Sequence, residues 1–105
     1  MSSANSYHQL AMYMTPKELS HSELGDTYVT GEGDREIMQR KLRESNKSGL
    51  ATRIRKEGVK KPIHLFHEND GTSTITDGHH RLAVAHTMGP NTLIPVEHHD
   101  ENSGW

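Results

Sequence analysis

The residues with the clearest chemical potential stand in one run, Asp77-Gly78-His79-His80-Arg81. The run follows a predicted strand and opens a predicted helix, whose first N–H groups lack intrahelical acceptors and carry the positive end of the helix dipole. An anion bound there satisfies both features. Gly78 allows a close backbone approach, Arg81 offers a two-pronged donor to phosphate oxygens, and the histidines add further donors. The run therefore predicts a phosphate-binding turn.

A second segment, residues 58–63, is predicted to face the same ligand. Gly58 occupies the position at which a helix ends, and Pro62 suits the first residue of a strand because it has no N–H to donate. Lys60 and Lys61 lie between them and would close over bound phosphates. The predicted phosphate-binding residues are Gly58, Lys60, Lys61, Pro62, Gly78, His79, His80 and Arg81.

Two motifs stand in order along the chain: Leu50-Ala51-x-x-Ile54-x-x-x-Gly58-Val59-x-x-Pro62-Ile63, and then Asp77-Gly78-His79-His80-Arg81-x-Ala83-x-Ala85. Together they resemble the ParB/sulfiredoxin-like superfamily over residues 48–97. In that superfamily ParB proteins bind CTP and sulfiredoxins bind ATP. Gly78 and Arg81 match the phosphate boxes of both families, and His80 matches the sulfiredoxin histidine. His79 replaces the ParB glutamate and the sulfiredoxin cysteine, and with no cysteine in the chain sulfiredoxin chemistry is excluded.

The resemblance implies a free-standing ParB-like domain that binds a nucleotide, CTP or ATP/ADP. Whether it is also an enzyme stays open among an NTPase, a phosphotransferase and a nuclease. Asp77 and His79 are the candidate catalytic residues. Mg²⁺ is the candidate companion ion, because phosphoryl transfer depends mainly on positioning and charge neutralisation.

An alternative reading is a DNA-binding regulator or ParB-like nuclease. Residues 34–61 hold ten Lys or Arg and four Asp or Glu, a net charge of +6, whereas the whole chain carries −2. Such a basic belt is able to follow a phosphate backbone. The candidate DNA-binding residues are Arg40, Lys41, Arg43, Lys47, Arg53, Arg55 and Lys56.

Nine histidines are scattered along the chain. His64 and His67 lie on a predicted strand, where a spacing of three places side chains on opposite faces. His98 and His99 fall in the predicted tail. Because these spacings match no recurrent ligand set, no metal site is predicted.

The composition bounds the setting in which this chemistry operates. A chain of 105 residues, 30% hydrophobic, makes one small domain, and the absence of cysteine excludes disulfides and thiol catalysis. No apolar run approaches the roughly 18 residues that would span a bilayer. We expect a cytoplasmic protein with a nucleotide partner, DNA and a second copy of the chain as further candidate partners, and no membrane partner.

The elements that must position these residues are predicted from hydrophobic spacing and turn residues. We expect a flexible arm over 1–13, a single domain over 14–97 and a tail over 98–105. Residues 14–19 are predicted to form an extended piece and a turn, and residues 25–33 a loop or lid. The pattern predicts helices over 35–45 (after Asp34 as N-cap, ended by Asn46), 49–57 (after Ser48 as N-cap) and 79–88, and strands over 61–66, 72–76 and 93–96. The predicted fold class is α/β of the mixed α+β type, a small mixed sheet with flanking helices, as in ParB N-terminal or sulfiredoxin-like domains.

Overall fold

A computed structural model of the chain describes residues 12–100. Residues 1–11 of the predicted arm and 101–105 of the predicted tail lie outside the described residues. None of the helices between residues 12 and 100 is long and apolar enough to cross a membrane.

The described chain combines five short strands with five helices, in the mixed α+β class that the sequence predicts. The strands are β1 (Tyr13–Met14), β2 (Glu23–Leu24), β3 (Ile63–His67), β4 (Ser73–Asp77) and β5 (Ile94–His99). The helices are α1 (Pro16–Leu19), α2 (Asp26–Thr30), α3 (Asp34–Ser48), α4 (Leu50–Glu57) and α5 (His79–Met88). The hairpin β3–β4 and helix α5 confirm the corresponding predictions.

The five strands form one sheet in the order β1-β5-β3-β4-β2. Strands β3 and β4 are antiparallel, whereas β5 runs parallel to β3 and β2 runs parallel to β4. The longest strands therefore occupy the centre, and the two-residue strands form both edges. Strand β5 continues to His99, two residues beyond the predicted end of the domain at residue 97. Strand β1 begins at Tyr13, one residue before the predicted start of the domain at residue 14.

One hydrophobic core lies between the sheet and the helices. Ile63, Leu65 and Ile75 from the central strands are almost fully buried, and Ile37 of α3 and Leu82 of α5 pack in the same cluster. A second cluster joins α4 to α5 through buried Ala51, Ile54 and Val84. The two clusters fix α4 and α5 relative to the sheet, so the segments carrying the predicted phosphate residues are held by core packing.

Helix α3 differs from its prediction at both ends. It begins at Asp34 with Gly33 as N-cap, and it continues through Asn46 to Ser48, so the prediction that Asn46 ends it is wrong. Asparagine costs a helix only a fraction of a kcal/mol, about 0.7 at most. The helix ends instead at Ser48, with Gly49 in the left-handed region (φ 85°) as its C-cap. Gly49 is also the N-cap of α4, so the prediction that Ser48 caps that helix is wrong.

Two segments predicted to be irregular contain short helices. Residues 16–19 form α1, because Thr15 and Glu18 make a reciprocal capping box and Pro16 stands at the first helical position. The predicted loop over 25–33 contains α2 over most of its length. The first residue of this predicted loop, Gly25, is held against the sheet, because its N–H donates to the Ile75 carbonyl over 2.8 Å.

Candidate phosphate-binding cavity

The turn between β4 and α5 is held tightly against β3. Gly78 has a φ of 102°, and a Cβ built on it would lie 2.8 Å from Cγ1 of Ile63. Glycine is therefore required here by its positive φ and by the neighbouring strand. The first helical hydrogen bond runs from the Leu82 N–H to the Gly78 carbonyl over 2.9 Å. The amides of residues 79–81 precede it and form the positive end of α5.

Arg81 links this turn to the entry of β3. Its Nη2 donates to the Pro62 carbonyl over 3.0 Å and lies 3.6 Å from the Asp77 carboxylate. The side chain is only 19% exposed. Its Nε is buried and has no hydrogen-bond acceptor among residues 12–100. A buried donor without an acceptor is costly, so this guanidinium is incompletely satisfied by the protein alone.

A cavity of about 220 Å³ opens beside Arg81, between α4 and the segment that leads into β3. Its lining combines an apolar wall with charged side chains from three parts of the chain. The lining residues are Leu50, Arg53, Ile54, Glu57, Gly58, Lys60, Lys61 and Arg81. The structure therefore brings four of the predicted phosphate residues, Gly58, Lys60, Lys61 and Arg81, to one place.

The cavity is strongly positive. Four of its lining side chains are cations and one is a carboxylate, Glu57, which forms an exposed ion pair of 3.3 Å with Lys60. Arg53 and Lys61 are exposed and form no ion pair with any residue from 12 to 100. Converging cations that the protein does not neutralise favour an anionic ligand.

His79 and His80 project away from this cavity. His79 is buried, and its Nε2 accepts a 3.4 Å hydrogen bond from the Asp26 N–H while its Nδ1 lies 3.8 Å from the Asp26 carboxylate. Burial lowers the pKa of His79, and the Asp26 carboxylate opposes that shift. His80 is paired with Glu44 of α3, 2.8 Å from its Nε2.

The remaining predicted turn residues also make structural contacts. Asp77 is 68% exposed and is not part of the cavity lining. Pro62 contributes through its carbonyl, which fixes Arg81. The catalytic roles assigned to Asp77 and His79 stay predictions, because neither residue lines the cavity and Asp77 reaches it only through its 3.6 Å contact with Arg81.

The basic belt is partly neutralised within the protein. Arg40 binds Glu32 over 2.8 Å and lies near Asp26 and Glu44, and Lys41 binds Asp26 over 2.9 Å. These pairs join α2 to α3. The other candidate DNA-binding residues, Arg43, Lys47, Arg53, Arg55 and Lys56, are exposed.

Comparisons with protein families, curated proteins and solved structures find no match for this chain. The likeness to the ParB/sulfiredoxin-like superfamily therefore stays an expectation from two motifs.

One side chain that lines the cavity, Arg53, is predicted from the sequence to bind DNA. The structure places it on the same face of α4 as Leu50 and Ile54. Its spacing of three residues from Leu50 and four from Glu57 is the signal for a shared helix face.

A separate cluster, His64, Glu97 and His99, has the ligand atoms suited to a metal ion, all within 4.8 Å of one another.

Proposed function

We propose that this chain binds the phosphates of a nucleotide in the cavity between α4 and Arg81. The observation that carries the proposal is the convergence of Arg53, Lys60, Lys61 and Arg81 on one cavity with a single carboxylate. Charge-assisted hydrogen bonds from such side chains to phosphate oxygens are among the stronger polar contacts in proteins.

The shape of the cavity supports a nucleotide over a bare anion. Leu50 and Ile54 give it an apolar wall, and Ile54 is fixed in the core cluster that joins α4 to α5. Ligand sites typically combine such a surface with a few placed polar groups. At about 220 Å³ the cavity suits the phosphates and part of a sugar, with the base lying toward solvent.

The proposal is for binding, with hydrolysis or phosphoryl transfer as a further possibility of the same site. Among the described residues that line the cavity, the carboxylate is Glu57, which is paired with Lys60. A nucleotide ligand suits the cytoplasmic location predicted from the sequence, which stays a proposal.

Thermal unfolding and calorimetry with CTP, ATP, ADP and GTP, each with and without Mg²⁺, test the proposal. A ligand at 100 times its Kd stabilises the native state by about 2.7 kcal/mol, so micromolar binding is readily measured. We expect Arg53→Ala and Lys61→Ala each to weaken binding about tenfold, since a lost charge-assisted contact costs about 1.4 kcal/mol.

Arg43→Ala is the matched control, because Arg43 is an exposed arginine on the neighbouring helix that does not line the cavity. It should leave the affinity unchanged. The proposal fails if no nucleotide binds, or if Arg43→Ala weakens binding as much as Arg53→Ala. Tighter binding of a DNA duplex than of any nucleotide, weakened equally by all three variants, would favour the basic belt as the functional surface.

A further inference from the structure

Two histidines and a glutamate, none of which lines the basic cavity, meet on one face of the sheet. His64 of β3 lies opposite Glu97 in the parallel β3–β5 register, and His99 follows Glu97 by two residues. Side chains two apart on a strand share a face, so the register alone brings all three together. At this cluster β3 lies between β5 and β4, whereas β1 pairs with β5 only at Ile94 and Pro95.

The ligand atoms of these residues form a small triangle. Nδ1 of His64 lies 2.9 Å from Nε2 of His99, and each of these nitrogens lies 3.8 Å from an oxygen of Glu97. Two ligands bound at 2.0–2.1 Å to a tetrahedral ion are about 3.3 Å apart. The two contacts to Glu97 end on different carboxylate oxygens, Oε2 for His64 and Oε1 for His99. With one ligand atom from each residue, the three atoms lie within 4.8 Å of one another, so the side chains must rotate to bring all three to coordinating distance.

The short contact between the two imidazoles is itself informative. Two ring nitrogens at 2.9 Å require a proton between them, because two neutral acceptor nitrogens have no attraction for each other. The ring planes are nearly parallel, at 9°, with their centroids 5.1 Å apart. A metal cation replaces that proton with a stronger interaction that also uses the carboxylate.

We propose that His64, Glu97 and His99 form a binding site for a divalent transition metal of the zinc class. Two imidazole nitrogens and one carboxylate oxygen suit Zn²⁺, Co²⁺ or Ni²⁺, whereas Mg²⁺ and Ca²⁺ prefer all-oxygen sets. The His99 side chain is 9% exposed, that of His64 28% and that of Glu97 53%. The site is thus walled by protein on one side and open on the other, which leaves a fourth position for water or an exogenous ligand.

The metal would join the last residue of β5 to the second residue of β3. This site shares no residue with the basic cavity, so it goes beyond the proposed nucleotide function and does not depend on it. Bound metal would stabilise the native state by mass action, because the unfolded chain does not hold the three ligands together.

The chain provides a matched control on the other face of the same strands. His67 and His98 approach to 2.7 Å with ring centroids 5.0 Å apart, nearly the same geometry. The hydroxyl of Ser73 lies 3.1 Å from His67 Nδ1. This pair tests whether two adjacent histidines suffice to hold the ion.

The experiment titrates the metal-free protein with Zn²⁺ against a chromophoric chelator, and with Co²⁺ while recording its visible absorption. We expect one tightly bound Zn²⁺ per chain, a tetrahedral Co²⁺ spectrum and no competition by Mg²⁺. His64→Gln and Glu97→Gln should each weaken Zn²⁺ binding by at least about tenfold, the lower end of the loss seen even for outer-shell partners. Glu97 is more than half exposed, so its variant tests the site without endangering the fold.

The control variant His67→Gln should retain the affinity and the Co²⁺ spectrum. The proposal is overturned if the protein binds no stoichiometric Zn²⁺ or if Glu97→Gln and His64→Gln bind it as tightly as the original chain. It is equally overturned if His67→Gln abolishes binding, since the ion would then sit on the opposite face. Because no nucleotide is present in these titrations, their failure leaves the proposed nucleotide site untouched.

Discussion

Replacing Gly78 by alanine tests how the turn before α5 is built. Gly78 and Gly49 share nearly the same left-handed backbone, with φ of 102° and 85° and ψ of 16° and −2°. Nothing lies within 4 Å of a Cβ placed on Gly49, whereas a Cβ on Gly78 meets Ile63 at 2.8 Å from Cγ1 and 3.1 Å from Cα. The two positions therefore have similar backbone strain but differ in the room that is available for a Cβ atom.

The expected costs follow from that difference. A non-glycine residue in the left-handed region costs about 1–2 kcal/mol, which is the whole expected loss for Gly49→Ala. Forcing a methyl group into a packed position costs a further ~1–3 kcal/mol, and Ile63 is fully buried and has little freedom to move. Gly78→Ala should thus lose about 2–5 kcal/mol, a large part of the 5–15 kcal/mol that stabilises a typical domain.

Urea denaturation followed by circular dichroism measures both variants against the original chain. Each kcal/mol should also lower the Tm by roughly 4–8 °C in a domain of this size. We expect Gly78→Ala to be less stable than Gly49→Ala by at least 1 kcal/mol, near the lower limit of the contact cost. Equal losses in the two variants would refute the argument that Gly78 is required by its approach to β3.

Three further predictions concern the side chains around α5. Burial lowers the pKa of His79 below its ordinary 6.5, so the unfolded state binds more protons below that pH and the free energy of unfolding should fall as the pH drops through it. Urea denaturation at pH 8 and pH 5 should show that His79→Gln loses less stability between these two pH values than the original chain. The Lys41 hydrogen bond lowers the pKa of Asp26. Asp26→Asn should therefore lower the free energy of unfolding by about 1–2 kcal/mol at pH 7, and by progressively less as the pH falls below 3.8. An equal loss of stability at pH 7 and pH 3 would contradict the pairing. His80→Ala should leave nucleotide affinity within about twofold in calorimetry, since His80 is engaged by Glu44; a tenfold loss would return His80 to the phosphate site.

Local patterns predicted the elements whose signals are contained within their own residues. Helix α5 follows from Gly78, a run of apolar residues and the Gly89 stop, and the β3–β4 hairpin follows from the turn residues 68–71. Strands β1 and β2 are only two residues long, so they carry no periodicity. Their conformation depends on pairing with β5 and β4, which lie 51 or more residues away.

The candidate site was predictable in part for the same reason. The structure places the loop from Gly58 to Pro62 next to Arg81 of α5, as the sequence predicted, whereas phosphate binding there stays a prediction. The direction of His79 and His80 was not predictable, since it depends on Asp26 of α2, which contacts His79, and on Glu44 of α3, which binds His80. The histidine cluster required the parallel register of β3 with β5, which places His64 beside Glu97 and which no local pattern encodes.

The two-residue edge strands have a consequence for association between copies. One segment, residues 13–24, supplies β1 at one edge of the sheet and β2 at the other, with buried Leu19 between them as an anchor in the core. It covers the outer backbone groups of β4 and β5 where it pairs with them, and exposed strand edges are templates for pairing with another chain. This short stretch therefore pairs with both edges of the three-stranded β5-β3-β4 sheet, and its detachment would expose those edges to pairing with another chain.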